Sequence, residues 1–161
     1  MSELIKVGLA DANVCRTPDG ITTLGLGSCV GVALYDKSSK IAGLVHVMLP
    51  DSTAVRQNSN KAKFADTGID LLIGMMKEEG ANTNRLTAKI AGGAQMFAFS
   101  GNSDLLRVGE RNVLAVKKKL KELKIEILAE DTGLNYGRTV EFYPENGNFL
   151  IKAVGKEPTI I

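Results

Sequence analysis

The sequence is poor in the residues from which metal sites and disulfide frameworks are built. Its 161 residues include one histidine, His46, and two cysteines, Cys15 and Cys29. Two cysteines do not make a disulfide framework, and together with one histidine they supply metal ligands poorly. We therefore predict that both thiols are free.

Long apolar runs and an excess of charge of one sign are also missing. The N-terminal stretch M-S-E-L-I-K-V-G lacks the apolar segment of a signal peptide, and no apolar run approaches the roughly 18 residues of a membrane span. The net charge is +2 with both signs interspersed, and the densest basic run, residues 117–121, is interleaved with apolar residues at helical spacing. These features predict a cytoplasmic protein with no nucleic-acid surface and no membrane insertion.

The composition does provide for one sizeable core. With 44% apolar and 24% charged residues, the chain has the makeup of a globular protein, and its length predicts a single domain over residues 1–161. Strand patterns cover residues 3–9, 21–24, 29–36, 41–49, 86–91, 125–129, 139–143 and 149–154, helical patterns cover 60–79 and 110–123, and residues 10–20 and 51–60 have the composition of loops. Because strands and helices do not alternate strictly, we predict an α+β fold of layers, with a strand-rich core and two long helices packed outside it.

The stretch T-T-L-G-L-G-S-C-V-G, residues 22–31, bears most directly on function. It does not match a dinucleotide-binding fingerprint, because Val30 occupies the place of the last glycine and strand-forming residues follow. It also lacks the Gly-Lys-Ser/Thr of a P-loop. Its glycines permit positive φ and bring backbone N–H groups close to a ligand, which suits an oxyanion hole as well as a phosphate site.

The segments on either side of residues 37–40 predict a β-hairpin that brings a cysteine and the histidine to one face. Symmetric pairing sets Gly31 opposite His46 and makes Cys29 a diagonal neighbour of His46, with Cβ atoms about 7 Å apart. A slip of one residue would separate them onto different faces. Two interpretations remain open from this pattern: a thiol with its base, or a small buried cysteine beside a core histidine. Cys15, in a predicted loop, has no such partner and is interpreted as structural.

Six short motifs resemble those of the bacterial chemoreceptor glutamine deamidase family, CheD, and they occur in the order expected for that family. They are T-L-G-L-G-S-C-V (residues 23–30), H-V-M-L-P-D (46–51), K-F-A-D (63–66), A-G-G-A-Q-M-F (91–97), G-E-R-N (109–112) and A-E-D-T-G (129–133). The resemblance covers nearly the whole chain and implies an α/β sandwich related to deamidating bacterial toxins. One departure is Gly133-Leu134, where two glycines are expected, and it bears on the shape of the 131–138 loop.

The resemblance also implies an activity: deamidation of glutamine side chains in the cytoplasmic helices of chemoreceptors, through a thioester and with release of ammonia. It implies no metal or organic cofactor, and a partner, the chemotaxis phosphatase CheC. The implied site residues are Cys29 as nucleophile, His46 as base and Thr23 as the group that orients the imidazole. The turn residues Gly25, Gly27 and Ser28 are candidates for the oxyanion hole. Two other functions remain open, a receptor methylesterase, because an ester reaches the same thioester, and a mainly non-catalytic adaptor for CheC.

The apolar stretch A-Q-M-F-A-F, residues 94–99, also has two interpretations. Met96, Phe97 and Phe99 either fill the core, as most large apolar residues do, or form an exposed patch that binds an amphipathic helix of the receptor or of CheC.

Overall fold

The computed structural model describes residues 2–96 and 107–161. Within these residues the strands are β1 (Leu4–Val7), β2 (Ala12–Arg16), β3 (Gly20–Leu26), β4 (Val30–Asp36), β5 (Ile41–Val47), β6 (Thr87–Gly92), β7 (Glu126–Thr132), β8 (Arg138–Tyr143), β9 (Asn148–Lys152) and β10 (Thr159–Ile160). The two α-helices are α1 (Ala65–Glu78) and α2 (Val108–Glu122). No helix within the described ranges is both long and apolar enough to cross a membrane.

The strands form two mixed sheets, and the helices cover one of them. The sheet we call the central sheet has the order β2-β5-β4-β6-β7, and the outer sheet has the order β1-β3-β8-β9-β10. One apolar core lies between the helices and the central sheet, where Leu72 of α1 and Leu120 of α2 pack with the valines of β4 and β5. A second core lies between the two sheets and includes Phe142 and Phe149. The predicted α+β sandwich with two helices outside is confirmed.

The hairpin of β4 and β5 has the predicted register. Gly31 pairs with His46, and the strands are joined by a loop of four residues between Asp36 and Ile41. Every residue of both strands is buried, because the central sheet has the helices on one face and the outer sheet on the other. Side chains alternate along each strand, so the face that carries His46 lies toward the outer sheet.

The prediction of a loop over residues 10–20 is wrong in its first half. Residues 12–16 form β2, an edge strand of the central sheet, in which Cys15 pairs with Ala42 and is buried. The residues A-N-V-C-R place polar side chains at the second and last positions of this edge strand, so the apolar alternation is weak. Cys15 therefore lies in a strand, and its structural interpretation rests on burial.

Other boundaries also differ from the sequence pattern. The strand predicted to end at residue 24 extends to Leu26, because an irregularity between Thr23 and Leu26 lets β3 resume pairing with β8 beyond the bulge. The first helix begins at Ala65, after a separate 3-10 turn over Lys61–Lys63. The short strand β10 was not predicted, since two residues carry no periodic pattern.

Candidate active site

A hydrogen bond between the two sheets joins the histidine to a threonine. Thr23 lies on β3 of the outer sheet and His46 on β5 of the central sheet, and Thr23 Oγ1 is 2.7 Å from His46 Nδ1. Both side chains are buried, each with 1% of its surface exposed. The structure therefore brings together two of the three residues implied by the family resemblance.

The threonine hydroxyl decides which nitrogen of His46 carries the proton. Thr23 Oγ1 also lies 2.7 Å from the carbonyl oxygen of Val7, which only accepts hydrogen bonds, so the single hydroxyl proton is donated there. The hydroxyl oxygen must then accept from Nδ1–H, which leaves Nε2 with a free lone pair. Nε2 is buried and has no hydrogen-bond partner within the described part of the chain. The imidazole is thus set up to accept a proton at Nε2.

Cys29 lies in the bend just before β4, next in the chain to Val30, and 9% of its surface is exposed. Two residues further on, Gly31 pairs with His46 and faces the outer sheet. A Cβ at Gly31 would lie 3.1 Å from Leu26 Cδ1 and 3.7 Å from Thr23 Cγ2, so glycine lets β3 close onto the hairpin beside the imidazole.

Burial sets the charge of both reactive groups. It raises the pKa of the Cys29 thiol above 9.0, and a hydrogen bond with the backbone N–H of Cys29 opposes this shift only in part. Burial also lowers the pKa of His46 below 6.5. Near neutral pH the resting site therefore holds a thiol and a neutral imidazole, the form that acts as a general base.

The turn before Cys29 is held by bonds to its carbonyl groups. Ala94 N donates to Gly27 O at 2.9 Å and Gly93 N donates to Cys29 O at 2.8 Å. Between them, Asn112 Nδ2 of α2 donates to Ser28 O at 2.9 Å. The carbonyl groups of three successive residues thus have partners in other segments. Asn112 was missed as a site residue, although it ends the G-E-R-N motif, because no sequence pattern tells which helical asparagine meets a distant turn.

The other turn residues differ in what they can offer an oxyanion. Gly25 has a φ of 70°, a left-handed backbone conformation that glycine adopts without strain. The N–H of Gly27 donates to Gly25 O at 3.0 Å, so this group is engaged within the turn. The N–H of Cys29 bonds to its own thiol, so the N–H of Ser28 remains as the candidate for an oxyanion hole.

Met96 lies against this turn, and 46% of its surface is exposed, so it is not a core residue. A Cβ at Gly27 would lie 3.3 Å from Met96 Cγ. Phe97 and Phe99, the other two residues of the proposed patch, lie outside the described residues.

The departure at Leu134 is visible in the backbone. Leu134 has a φ of 61°, a left-handed conformation that favours glycine, and its side chain is exposed. Its carbonyl accepts from Gln95 N at 2.9 Å, and the loop is closed by Arg138, which forms an ion pair with Asp131 at 2.9 Å. The 131–138 loop therefore takes the turn that two glycines would allow, at the cost of strain in a leucine.

Comparison with known proteins agrees with the motifs. A family model described as CheD chemotactic sensory transduction matches residues 48–153. A protein of Lachnoclostridium phytofermentans named probable chemoreceptor glutamine deamidase CheD is 67% identical over 156 residues, which is 97% of each chain. A protein of Halalkalibacterium halodurans named chemoreceptor glutamine deamidase CheD is 55% identical over 155 residues, 96% of each chain.

Among solved structures, a crystal structure of a Neisseria meningitidis protein of family DUF152 superposes with a TM-score of 0.50 at 12% identity. The match covers 81% of this chain and 64% of that one, and at this identity it supports the sandwich fold alone. The family model, the extent of the matches and their identity together show that this chain belongs to the CheD family.

Proposed function

We propose that this protein deamidates glutamine side chains of chemoreceptors to glutamate. The activity is that for which its relatives are named, at 67% and 55% identity over nearly the whole chain. The observation that carries the proposal is the protonation state of His46. Its Nδ1–H is tied to Thr23 while its buried Nε2 has no partner among the described residues, which is what a base for the Cys29 thiol requires.

The proposed reaction begins with the neutral pair. As a receptor glutamine enters, Sγ of Cys29 attacks the side-chain amide carbon while the thiol proton passes to His46 Nε2. The carbonyl π electrons move to oxygen, and the oxyanion is held by the N–H group of Ser28. Thr23 keeps the imidazolium oriented by accepting from Nδ1–H.

The tetrahedral intermediate then collapses. The C–N bond breaks as His46 returns its proton to nitrogen, because an amide anion is too basic to leave, and ammonia departs from a γ-glutamyl thioester. Water attacks the thioester with His46 as base, the C–S bond breaks, and the proton returns to sulfur. The products are glutamate, ammonia and the Cys29 thiol, so no metal or organic cofactor takes part.

The test is mass spectrometry of a chemoreceptor cytoplasmic fragment incubated with the protein, which scores the gain of mass when glutamine becomes glutamate. We expect conversion by the wild type, none by Cys29→Ala and undiminished conversion by the matched control Cys15→Ala. His46→Ala should lose on the order of 10²-fold or more, because it removes the base. Equal loss in the two cysteine variants would rule out Cys29 as the nucleophile.

The same assay separates the deamidase from a methylesterase. A receptor fragment that carries glutamate methyl esters is added in parallel, and a protein that releases methanol but leaves glutamine unchanged would be an esterase.

We further propose that CheC binds near the active site. The exposed Met96 beside the Gly27 turn supports this, because an apolar side chain at a site entrance is a common contact for an amphipathic helix. Cys29→Ala removes the thiol and little volume, so this variant should still bind a receptor fragment in a pull-down. CheC should displace that fragment. Undiminished receptor binding at saturating CheC would assign the two proteins to separate surfaces and favour an adaptor role.

A further inference from the structure

Asn112 is a fully buried polar residue on the apolar face of α2. The other buried residues of this helix are Gly109, Val113, Val116 and Leu120, so Asn112 stands among groups with no hydrogen-bonding side chain. A buried amide is costly unless it is hydrogen-bonded. The hydrogen bonds of Asn112 therefore explain why an asparagine occupies this buried position.

The side-chain amide of Asn112 bonds to the two segments that carry the reactive groups. Asn112 Nδ2 is 2.9 Å from Ser28 O and 2.9 Å from Met48 O. Both partners are carbonyl oxygens, which only accept, so the nitrogen and not the oxygen of the amide must face them. Ser28 directly precedes Cys29, and Met48 follows His46 by two residues. One NH₂ group thus links the nucleophile's turn to the end of the base's strand.

This link differs from the other bonds to the turn. Gly27 O and Cys29 O accept from the backbone N–H groups of Ala94 and Gly93, which hold the turn against the end of β6. These bonds do not reach the end of β5. Asn112 supplies the contact between the turn and Met48, and it does so with a side chain, so a substitution can remove this contact while the backbone bonds remain.

The oxygen of the Asn112 amide also indicates that the residue is present for its two N–H donors. Asn112 Oδ1 is buried and has no partner within residues 2–96 and 107–161. A group kept for packing alone would be an apolar side chain of similar shape, without this unpaired oxygen. The two donors of Nδ2 are the part of Asn112 that the structure uses.

We propose that Asn112 is a positioning residue that fixes the Cys29 turn relative to His46. It touches neither substrate nor reacting atoms. It acts by holding Ser28 O and Met48 O on the same nitrogen, and thereby sets the position of the Cys29 turn against the end of the strand that carries His46. The inference builds on the proposed roles of Cys29 and His46, but it does not depend on which substrate they act upon.

The test measures how strongly His46 assists Cys29. The rate of Cys29 alkylation by iodoacetamide is followed near neutral pH by peptide mass spectrometry, with and without His46→Ala, in the wild type and in Asn112→Leu. The isosteric leucine keeps the volume of the side chain and removes both donors, and Asn112→Ala serves as a second, smaller variant in case the leucine prevents folding. Thr22→Val is the matched control. It removes another buried side-chain hydrogen bond, from Thr22 Oγ1 to Val140 O at 2.7 Å, and Thr22 is next to Thr23 in β3.

In the wild type and in Thr22→Val, His46→Ala should slow alkylation on the order of 10-fold or more. In the Asn112 variants it should change the rate by less than about twofold, because a misplaced imidazole no longer assists the thiol. An undiminished effect of His46→Ala in a folded Asn112 variant would overturn the proposal, and so would an equal loss of the effect in Thr22→Val.

Receptor deamidation gives a second readout. Asn112→Leu should lower kcat about 10- to 100-fold and leave KM nearly unchanged, since the docking surface is intact. A rise in KM with unchanged kcat would contradict a positioning role. If the wild type converts no receptor glutamine, the proposed function fails, and the alkylation experiment still decides the role of Asn112.

Discussion

At the scale of single residues, burial determines how the candidate site is charged before substrate arrives. It raises the pKa of the Cys29 thiol and lowers the pKa of the His46 imidazole, so each shift favours the neutral form. A thiolate–imidazolium pair would need the opposite shifts. In the mechanism proposed above, the proton therefore moves from the thiol to the imidazole during attack on the substrate.

This charge state predicts the pH dependence of Cys29 alkylation by iodoacetamide. A raised thiol pKa means less thiolate at every pH below it, so the alkaline rise in rate should lie at higher pH than for an ordinary thiol, with a low plateau near neutrality that depends on His46. Below the lowered pKa of His46 the plateau should fall, because a protonated imidazole accepts no proton. His46→Ala should remove the plateau and keep the alkaline rise. Thiolate-like rates that persist below pH 6 in the wild type would contradict the neutral pair.

Removing the Thr23 hydroxyl should change the tautomer of His46. Thr23→Val keeps the shape of the side chain but removes the oxygen that accepts from Nδ1–H, so His46 is free to carry its proton on Nε2 instead. We expect kcat for deamidation to fall about 10-fold or more, with a smaller effect for Thr23→Ser, which retains the hydroxyl. Kinetics that show Thr23→Val fully active would remove Thr23 from the site.

At the scale of elements, the first turn of α2 approaches the end of β6 more closely than a side chain allows. A Cβ at Gly109 would lie 2.3 Å from Ala94 O and 2.6 Å from Gly93 O, both backbone atoms that have little freedom to move. The same two residues hold the Cys29 turn, and Asn112 lies one helical turn further along α2. The glycine therefore sets how near the helix brings its asparagine to the site.

Two glycine substitutions test the importance of this close packing of α2 against residues 93–94. Gly109→Ala should lower the free energy of unfolding by about 1–3 kcal/mol and reduce deamidation with it, because α2 must move away from residues 93–94. Gly74→Ala, in the middle of α1, meets no atom within 4 Å and should instead raise stability by about 0.5–1 kcal/mol and leave activity unchanged. Thermal unfolding and the deamidation assay measure both. A neutral Gly109→Ala would show that the helix has room to shift.

The same scale shows what the sequence could predict. The register of β4 and β5 follows from alternating valines around a four-residue loop, so the placement of Gly31 opposite His46 was predictable. The edge strand β2 was not, since its polar residues mask the alternation, and neither was the role of Asn112. Its bonds to Ser28 and Met48 span 84 and 64 residues of chain, and they depend on how α2 docks. Thr23 was identified through the family motif, because its contact with His46 crosses from one sheet to the other.

At the scale of the whole molecule, Asp36 fastens the hairpin loop to the chain segment between α1 and β6. The side chain of Asp36 is fully buried. Its carboxylate accepts hydrogen bonds from Asn82 N at 2.8 Å, from Arg85 Nη2 at 3.0 Å and from Ser39 Oγ at 2.8 Å. Burial by itself raises the pKa of Asp36, but the hydrogen bonds from Arg85, Asn82 and Ser39 outweigh it and hold this pKa well below its usual range.

Asp36 therefore predicts a loss of stability in acid. Because its pKa is depressed in the folded state, its contribution is complete above the unfolded value near 4 and is lost as the pH falls through the folded value. Asp36→Ala should lower the free energy of unfolding at neutral pH by about 3 kcal/mol and flatten the decline between about pH 4 and pH 2. Arg85→Ala leaves Asn82, Ser38 and Ser39 as donors, so part of the acid slope should remain in that variant. Denaturant unfolding across this pH range checks both variants, and an unchanged acid slope in Asp36→Ala would refute the assignment.

The hydrogen bond between Thr23 and His46 also has a consequence for the time at which the site appears during synthesis. Thr23 lies on β3, whose neighbours in the outer sheet are β1 at one side and β8 at the other, where Thr23 pairs with Val140. Residues 23, 29 and 46 leave the ribosome early, but the strand that encloses β3 follows almost a hundred residues after His46. Contacts so distant in sequence form late. A growing chain thus carries Cys29 and His46 long before the contact with Thr23 can orient the imidazole, and the complete candidate site forms only when the chain is nearly finished.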